Sequence, residues 1–182
     1  MLGKVLLLGL CLVGLLGCNQ HSSSLPQPPK HIAAGEIGSS LPDFSVKDLQ
    51  GHPLSSADLG GKVLLIDFWA TWCQPCKKEM PGYQSLADRY GSNGLVVIGF
   101  KFDTMPDMED PLQFAKGIGV HYPLAVAADD LKQKFGGIEG LPTTMLYDRQ
   151  GILRLKVIGF EYTENVEAAL KPLLVGSARW QK

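Results

Sequence analysis

Apolar residues are grouped along the chain in two distinct periods, and those periods define the elements. Val63 to Ala70 is a nearly continuous apolar run broken by one charge, Asp67, which predicts a strand covered on both faces. Leu95 to Phe102 repeats the pattern and predicts a second buried strand. Between them, Met80, Tyr83, Ala87 and Tyr90 recur at helical spacing, so a helix is expected from about Gln74 to Tyr90. Pro75 falls in its first turn, where a missing N–H is harmless, whereas Pro81 lies deeper and is expected to bend it.

The flanking segments follow the same logic. Asp43 to Val46 and His52 to Leu54, parted by Gln50-Gly51, predict a short hairpin. Ser55 or Ser56 is placed to cap a brief helical turn that ends at Gly60-Gly61. Beyond Phe102, a helix is expected over Pro111 to Ile118, a short strand over Pro123 to Ala127 and a helix over Asp129 to Phe135. Thr143 to Tyr147 and Ile152 to Ile158 flank Asp148-Arg149-Gln150-Gly151 as an antiparallel hairpin. A last helix capped by Thr163 reaches Val175, with Pro172 near its end. Strands alternating with helices and closing in a hairpin predict an α/β layered domain with a central mixed sheet flanked by helices.

The N-terminus follows a different pattern. Lys4 precedes an apolar run from Val5 to Leu16, shorter than the about 20 residues a membrane span needs and suited to a signal-peptide core. The run ends in Leu15-Leu16-Gly17-Cys18, which resembles the bacterial lipobox, although Leu16 is a less common residue at its middle position. That resemblance implies a lipoprotein signal peptide over residues 1–17 and lipidation of Cys18. An uncleaved signal anchor is the alternative, and both place the domain outside the cytoplasm at a membrane. Residues 18–40, with Ser22-Ser23-Ser24, Pro26, Pro28 and Pro29, are read as a spacer, 41–176 as the domain and 177–182 as a tail.

Composition narrows the function classes. The formal net charge is −1 and no Lys/Arg-rich tract exists, which excludes a nucleic-acid footprint. Of the 4 cysteines, Cys11 and Cys18 belong to the signal region, leaving Cys73 and Cys76 to the domain. A disulfide stabilises more as its loop lengthens, so a pair two residues apart staples almost nothing and is there for chemistry. Half of a zinc site is the alternative, but no other Cys remains in the domain, and His52 and His121 have no ligand-spaced partner. No metal and no cofactor is expected.

The motif Trp69-Ala70-Thr71-Trp72-Cys73-Gln74-Pro75-Cys76 leaves a buried strand and opens a helix. Unpaired N–H groups and the positive end of the helix dipole stabilise an anion there, so Cys73 is expected to be the exposed attacking thiolate. Cys76, one turn inside, is expected to resolve the mixed disulfide. Asp67 should be a buried carboxyl with a raised pKa, unless it pairs with a nearby cation such as Lys101. Glu79, beside two lysines, is read as part of a solvated ion pair. Trp69 and Trp72 are placed to shield the thiolate, or Trp69 to serve the core.

With Lys78-Glu79-Met80-Pro81 and Gly140-Leu141-Pro142-Thr143-Thr144, the motif resembles the thioredoxin superfamily, and within it the exported TlpA/ResA-like group, over about Leu41 to Val175. The resemblance implies a thioredoxin-like fold with an N-terminal hairpin and a helix–strand insertion between Asp103 and Ala128. It implies a redox-active Cys73–Cys76 disulfide and a cis-proline at Pro142 facing the cysteines. Leu141, Thr143 and Trp72 are then expected at the substrate surface. Asp67 matches the buried Asp of thioredoxins, assigned to proton exchange with the inner Cys, and here the chain departs from many members of the TlpA/ResA group. Strongly oxidising members of the superfamily usually carry a His between the cysteines that stabilises the thiolate, and Gln74-Pro75 has no such cation, so a reductase is expected. Its substrates would be disulfides of exported proteins such as apocytochrome c, its electron source a membrane thiol donor of the DsbD/CcdA type. A peroxiredoxin-like thiol peroxidase and a non-catalytic partner-binding lipoprotein are the rival readings.

Overall fold

A computed structural model describes residues 37–102 and 109–175. The expected signal run, Cys11, Cys18, most of the spacer, residues 103–108 and the 177–182 tail lie outside the described residues.

The chain order is β1 (Ser45–Lys47), β2 (Pro53–Ser55), β3 (Val63–Trp69), α1 (Gln74–Tyr90), β4 (Leu95–Phe102), α2 (Pro111–Gly117), β5 (Leu124–Ala127), α3 (Asp129–Lys134), β6 (Thr143–Tyr147), β7 (Leu153–Ile158) and α4 (Thr163–Val175). β1 and β2 form the expected antiparallel hairpin. The main sheet has five strands in the order β5-β4-β3-β6-β7. β3 runs parallel to β4 and antiparallel to β6, β4 is parallel to β5, and β6 is antiparallel to β7. This is the thioredoxin-like architecture, with the N-terminal hairpin and with α2 and β5 as the inserted pair.

β3 occupies the centre of the sheet because every one of its 7 residues is buried. Alternate residues feed two cores. Val63, Leu65 and Trp69 face α1, α2 and α4, and Leu64, Ile66 and Phe68 face Phe44, Phe100 and Phe135 on the other side. Each such apolar side chain contributes roughly 1.5–3 kcal/mol relative to exposure, which lets the strand carry one buried carboxyl. α1 continues past Pro81 to Tyr90, with the Ser85 hydroxyl donating to the Pro81 carbonyl at 3.0 Å.

Local differences from the sequence expectations have identifiable causes. Ser55 precedes the short 3₁₀ turn Ser56–Leu59, but its hydroxyl donates to the Asp58 carboxylate at 2.6 Å instead of capping the backbone. Thr163 is the first helical residue of α4, because the Tyr162 carbonyl already accepts from Asn165 N–H at 3.0 Å. Gly38 N–H donates to the Leu153 carbonyl at 2.9 Å and Ser40 pairs with Ile152, so the end of the segment read as spacer adds to the sheet edge.

Candidate active site

β3 delivers the motif. After Trp69 the chain turns through Ala70–Trp72, with Cys73 N–H donating to the Ala70 carbonyl at 3.1 Å, and α1 begins at Gln74. Cys73 is the N-cap, and its sulfur accepts the Cys76 N–H at 3.3 Å. This cap places a helix N–H on the Cys73 sulfur, favouring negative charge there. Cys73 and Cys76 are bonded to each other as a disulfide with Cα atoms 5.3 Å apart.

Cys73 is less exposed than expected. It is 4% exposed and Cys76 is 0% exposed, so Cys73 is the more accessible residue of the pair but is buried rather than at an open tip. Half-buried Trp72 and Leu141 pack against the core cluster that contains Cys73 and Cys76. Trp69 is fully buried and stacks on Phe114 with ring centroids 5.3 Å apart, which makes it core and removes it from the surface. The Lys77 ammonium lies 5.6 Å from the Phe114 ring centre, so Phe114 of α2 meets both Trp69, which opens the motif, and Lys77, which follows it.

The Leu141–Pro142 bond is cis, as the resemblance implied. Thr143 pairs with Phe68 of β3 and with Ile158 of β7, which places Pro142 at the sheet end from which the Cys73 turn emerges. The Thr143 side chain is buried and its hydroxyl donates to the Gly140 carbonyl at 2.7 Å, so it braces the loop from inside. Leu141 lies ahead of the strand, half-buried, with its backbone outside the β3 and β7 ladders.

Behind the disulfide lies an acidic cluster that sequence reasoning saw only in part. Asp67 is fully buried, and neither carboxylate oxygen has a hydrogen-bond partner, so the pairing with Lys101 does not occur. Burial pushes its pKa well above the ordinary carboxylate value, and the charge of Glu79 adds to the rise. Glu79 overturns its expectation as a solvated ion pair, being 1% exposed. The reason is helical spacing: three residues after Cys76 and four before Tyr83, it shares their inward face, while Lys77 and Lys78 point away. Glu79 accepts from the Thr144 hydroxyl at 3.2 Å and from the Glu161 N–H at 3.0 Å. Burial raises its pKa to about 7, although these hydrogen bonds and one with Tyr83 hold it down. Thr144 stands opposite Asp67 in the β3–β6 register and also meets the Tyr83 hydroxyl at 2.8 Å. The arrangement combines a sulfur at a helix N-terminus with buried carboxyls able to hold a proton near neutrality.

The chain matches the AhpC/TSA family over residues 37–156. It is 35% identical over 141 residues to the thiol-disulfide oxidoreductase ResA of Bacillus thuringiensis (strain Al Hakam), covering 76% of this chain and 79% of the relative. The thioredoxin-like protein YneN of Bacillus subtilis (strain 168) is 29% identical over 168 residues, covering 92% of this chain and 97% of that one. A solved thiol:disulfide interchange protein of the thioredoxin family from Chlorobium tepidum TLS superimposes with a TM-score of 0.69 at 29% identity, covering 75% of this chain and 97% of that chain. A disulfide capping α1, a cis-proline loop beside it and these relatives agree: the chain belongs to the AhpC/TSA family and is a thioredoxin-like thiol–disulfide oxidoreductase.

Proposed function

We propose that this oxidoreductase is a reductase of disulfides in exported proteins, tethered outside the cytoplasm through a lipid on Cys18. The observation that carries the chemistry is the Cys73–Cys76 disulfide at the start of α1 with Asp67 and Glu79 buried behind it. In the reduced enzyme the Cys73 thiolate attacks a substrate disulfide, forming a Cys73–substrate disulfide and expelling one substrate thiolate, which takes a proton from water. Cys76 then passes its proton to the Asp67/Glu79 pair as its sulfur attacks that of Cys73. The second substrate thiolate leaves, so the substrate gains two electrons and the enzyme becomes the disulfide. A membrane dithiol donor of the DsbD/CcdA type resets it. Leu141, before Pro142, offers backbone to an extended substrate segment, with Trp72 also at the substrate surface.

The reducing direction rests on Gln74-Pro75, which places no cation between the cysteines, and apocytochrome c is the favoured substrate by family resemblance. Among the described residues no helix is long and apolar enough to cross a membrane. Tethering therefore rests on the lipobox-like Leu15-Leu16-Gly17-Cys18.

Insulin reduction by the parent and by Cys73→Ser tests the reading. Turnover that vanishes in the variant supports it, and an inactive parent points to a binding protein. Peroxide consumption requiring Cys73 but not Cys76 points to a thiol peroxidase. A reduction potential near thioredoxin's, about −270 mV, fits a reductase, and one near DsbA's, about −120 mV, reverses the direction. Cys76→Ser should accumulate mixed disulfides at Cys73, and mass spectrometry of these names the clients.

A further inference from the structure

We propose that Tyr122 is a positioning residue for the disulfide chemistry: its phenol, brought in by the segment before β5, acts through one bridging water on the Asp67 carboxylate that receives the Cys76 proton. This rests on the Cys73/Cys76 reading above and adds a residue to it.

Register places the two groups on one face. Asp67 stands opposite Gly99 of β4, and Gly99 opposite Leu124 of β5, with all three strands parallel. Tyr122, two residues before Leu124, points to the same side and is buried in the cluster that holds Leu65, Trp69, Cys76 and Tyr83. The absence of a side chain at Gly99 lets Leu124 and Trp69 close over the backbone there, since a Cβ at that position would come within 2.5 Å of Leu124 Cδ2 and 2.9 Å of Trp69 Nε1. The backbone of Tyr122 is pinned to α1: its N–H donates to Gln84 Oε1 at 3.1 Å, and the His121 N–H donates to the same oxygen at 2.9 Å. With its main chain tied outside, the ring is committed inward.

The inward end has unfinished hydrogen bonding. The Tyr122 hydroxyl is buried with no hydrogen-bond partner, and so are both oxygens of Asp67. A buried donor and a buried acceptor left without partners are each costly, and one bridging water satisfies both. The other phenol of the cluster is committed elsewhere, because Tyr83 bonds Thr144, which in turn bonds Glu79. The electrostatics follow this division. Burial raises both phenols, but the next influence on Tyr122 is Asp67, whereas on Tyr83 it is Glu79. The groups facing Asp67 are Cys76, Glu79 and Tyr83 from α1, Thr144 from β6 and Lys101, two residues beyond Gly99 on β4.

A phenol donating to Asp67 through that water favours its ionised form and keeps it ready as a proton acceptor at lower pH. The test mixes reduced full-length protein with an aromatic disulfide that releases a coloured thiol, across pH 4.5–9. The second release reports the attack of Cys76. In Tyr122→Phe the acidic limb of that step should move up by about one pH unit, and in Asp67→Asn the limb should disappear. The Asp67→Asn/Tyr122→Phe double variant should match Asp67→Asn alone. A Tyr122→Phe profile that superimposes on the parent, or additive effects in the double variant, overturns the assignment. Tyr122→Met replaces the Phe variant if that variant does not fold. An absence of second release in the parent would defeat the dithiol reading itself, a separate outcome.

Discussion

Asp67 and Glu79 place two carboxyl groups inside one core, on β3 and α1, and the charge of Glu79 reinforces the rise that burial imposes on Asp67. Two buried acids this close do not both ionise readily, so near neutrality the pair holds a proton. Protein stability should register this. Glu79 has a folded-state pKa of about 7 against an ordinary 4.5.

Below pH 4.5 both folded and unfolded chains hold the Glu79 proton, and its neutral form fits the core. As pH rises from 4.5 toward 7 the unfolded chain releases the proton first, so stability falls across that window and levels off above it. The loss is on the order of 3 kcal/mol. Glu79→Gln keeps an acceptor for the Glu161 N–H and cannot titrate. Urea midpoints of the parent should therefore drop relative to Glu79→Gln between pH 4.5 and 7. Parallel curves would show that Glu79 does not titrate in this range.

Gly99 on β4 is closely covered by the side chains of Leu124 and Trp69. Gly99→Ala should cost about 1–3 kcal/mol, because the added methyl meets Leu124 Cδ2 at 2.5 Å and Trp69 Nε1 at 2.9 Å. Displacement of Trp69 should also loosen its stack on Phe114, seen as a change in near-ultraviolet circular dichroism. An unchanged urea midpoint would mean that the Leu124 side chain moves aside freely.

The main strands and helices were legible because their period is local. β4, β6 and α1 match their expected limits, and β3 differs by one residue, since unbroken apolar runs and a 3.6-residue stripe need no knowledge of partners. Cys73 and Cys76 were legible for the same reason: a helix start is a local chemical environment. Glu79 was misread because its neighbours in sequence are Lys77 and Lys78, while its neighbours in space are Thr144 and the Glu161 N–H, 65 and 82 residues away. Its spacing from Cys76 and Tyr83 was the available signal. Tyr122 gave no local signal at all, since its place on the Asp67 face comes from the register that sets β5 beside β4 and β4 beside β3. The inward turn of Thr143 likewise follows from its pairing on both sides, which a loop motif does not reveal.

Arg149 gathers three segments that are remote in sequence. Its guanidinium donates to the carbonyls of Gly61 at 2.9 Å, Asn93 at 2.8 Å and Leu174 at 3.0 Å. The first two lie in the turns leading into β3 and β4, and the third is a C-terminal carbonyl of α4 that has no helical partner of its own. Arg149→Ala should lose about 2–3 kcal/mol in urea unfolding, and amide exchange should quicken in the last turn of α4. Arg149→Lys cannot reach three carbonyls with one ammonium and should recover less than half of the loss. Full recovery by Lys would show that charge, not the planar fork, is what the site requires.

Glu167 should govern the acid limit of the α1–α4 contact. Its pKa is lowered to about 2, first by the Tyr90 hydroxyl and then by Lys171 and Arg89. Arg89 lies 2.8 Å and Lys171 3.1 Å from Glu167 Oε1. Because the folded-state pKa is depressed, the stability it supplies is complete above about pH 4.5 and lost as pH falls toward 2. Arg89 and Lys171 are exposed, so their ion pairs contribute little and salt weakens them. The phenol bond is half-buried and uncharged on the donor side, so salt leaves it largely intact. Tyr90→Phe should therefore raise the Glu167 titration followed by carboxyl-carbon NMR, and shift acid unfolding to higher pH. The shift should persist in 0.5 M salt, as an order-of-magnitude test concentration at which the Debye length is only about 4 Å. A Glu167 that titrates at the same pH in parent and variant would assign its depression to Arg89 and Lys171 instead.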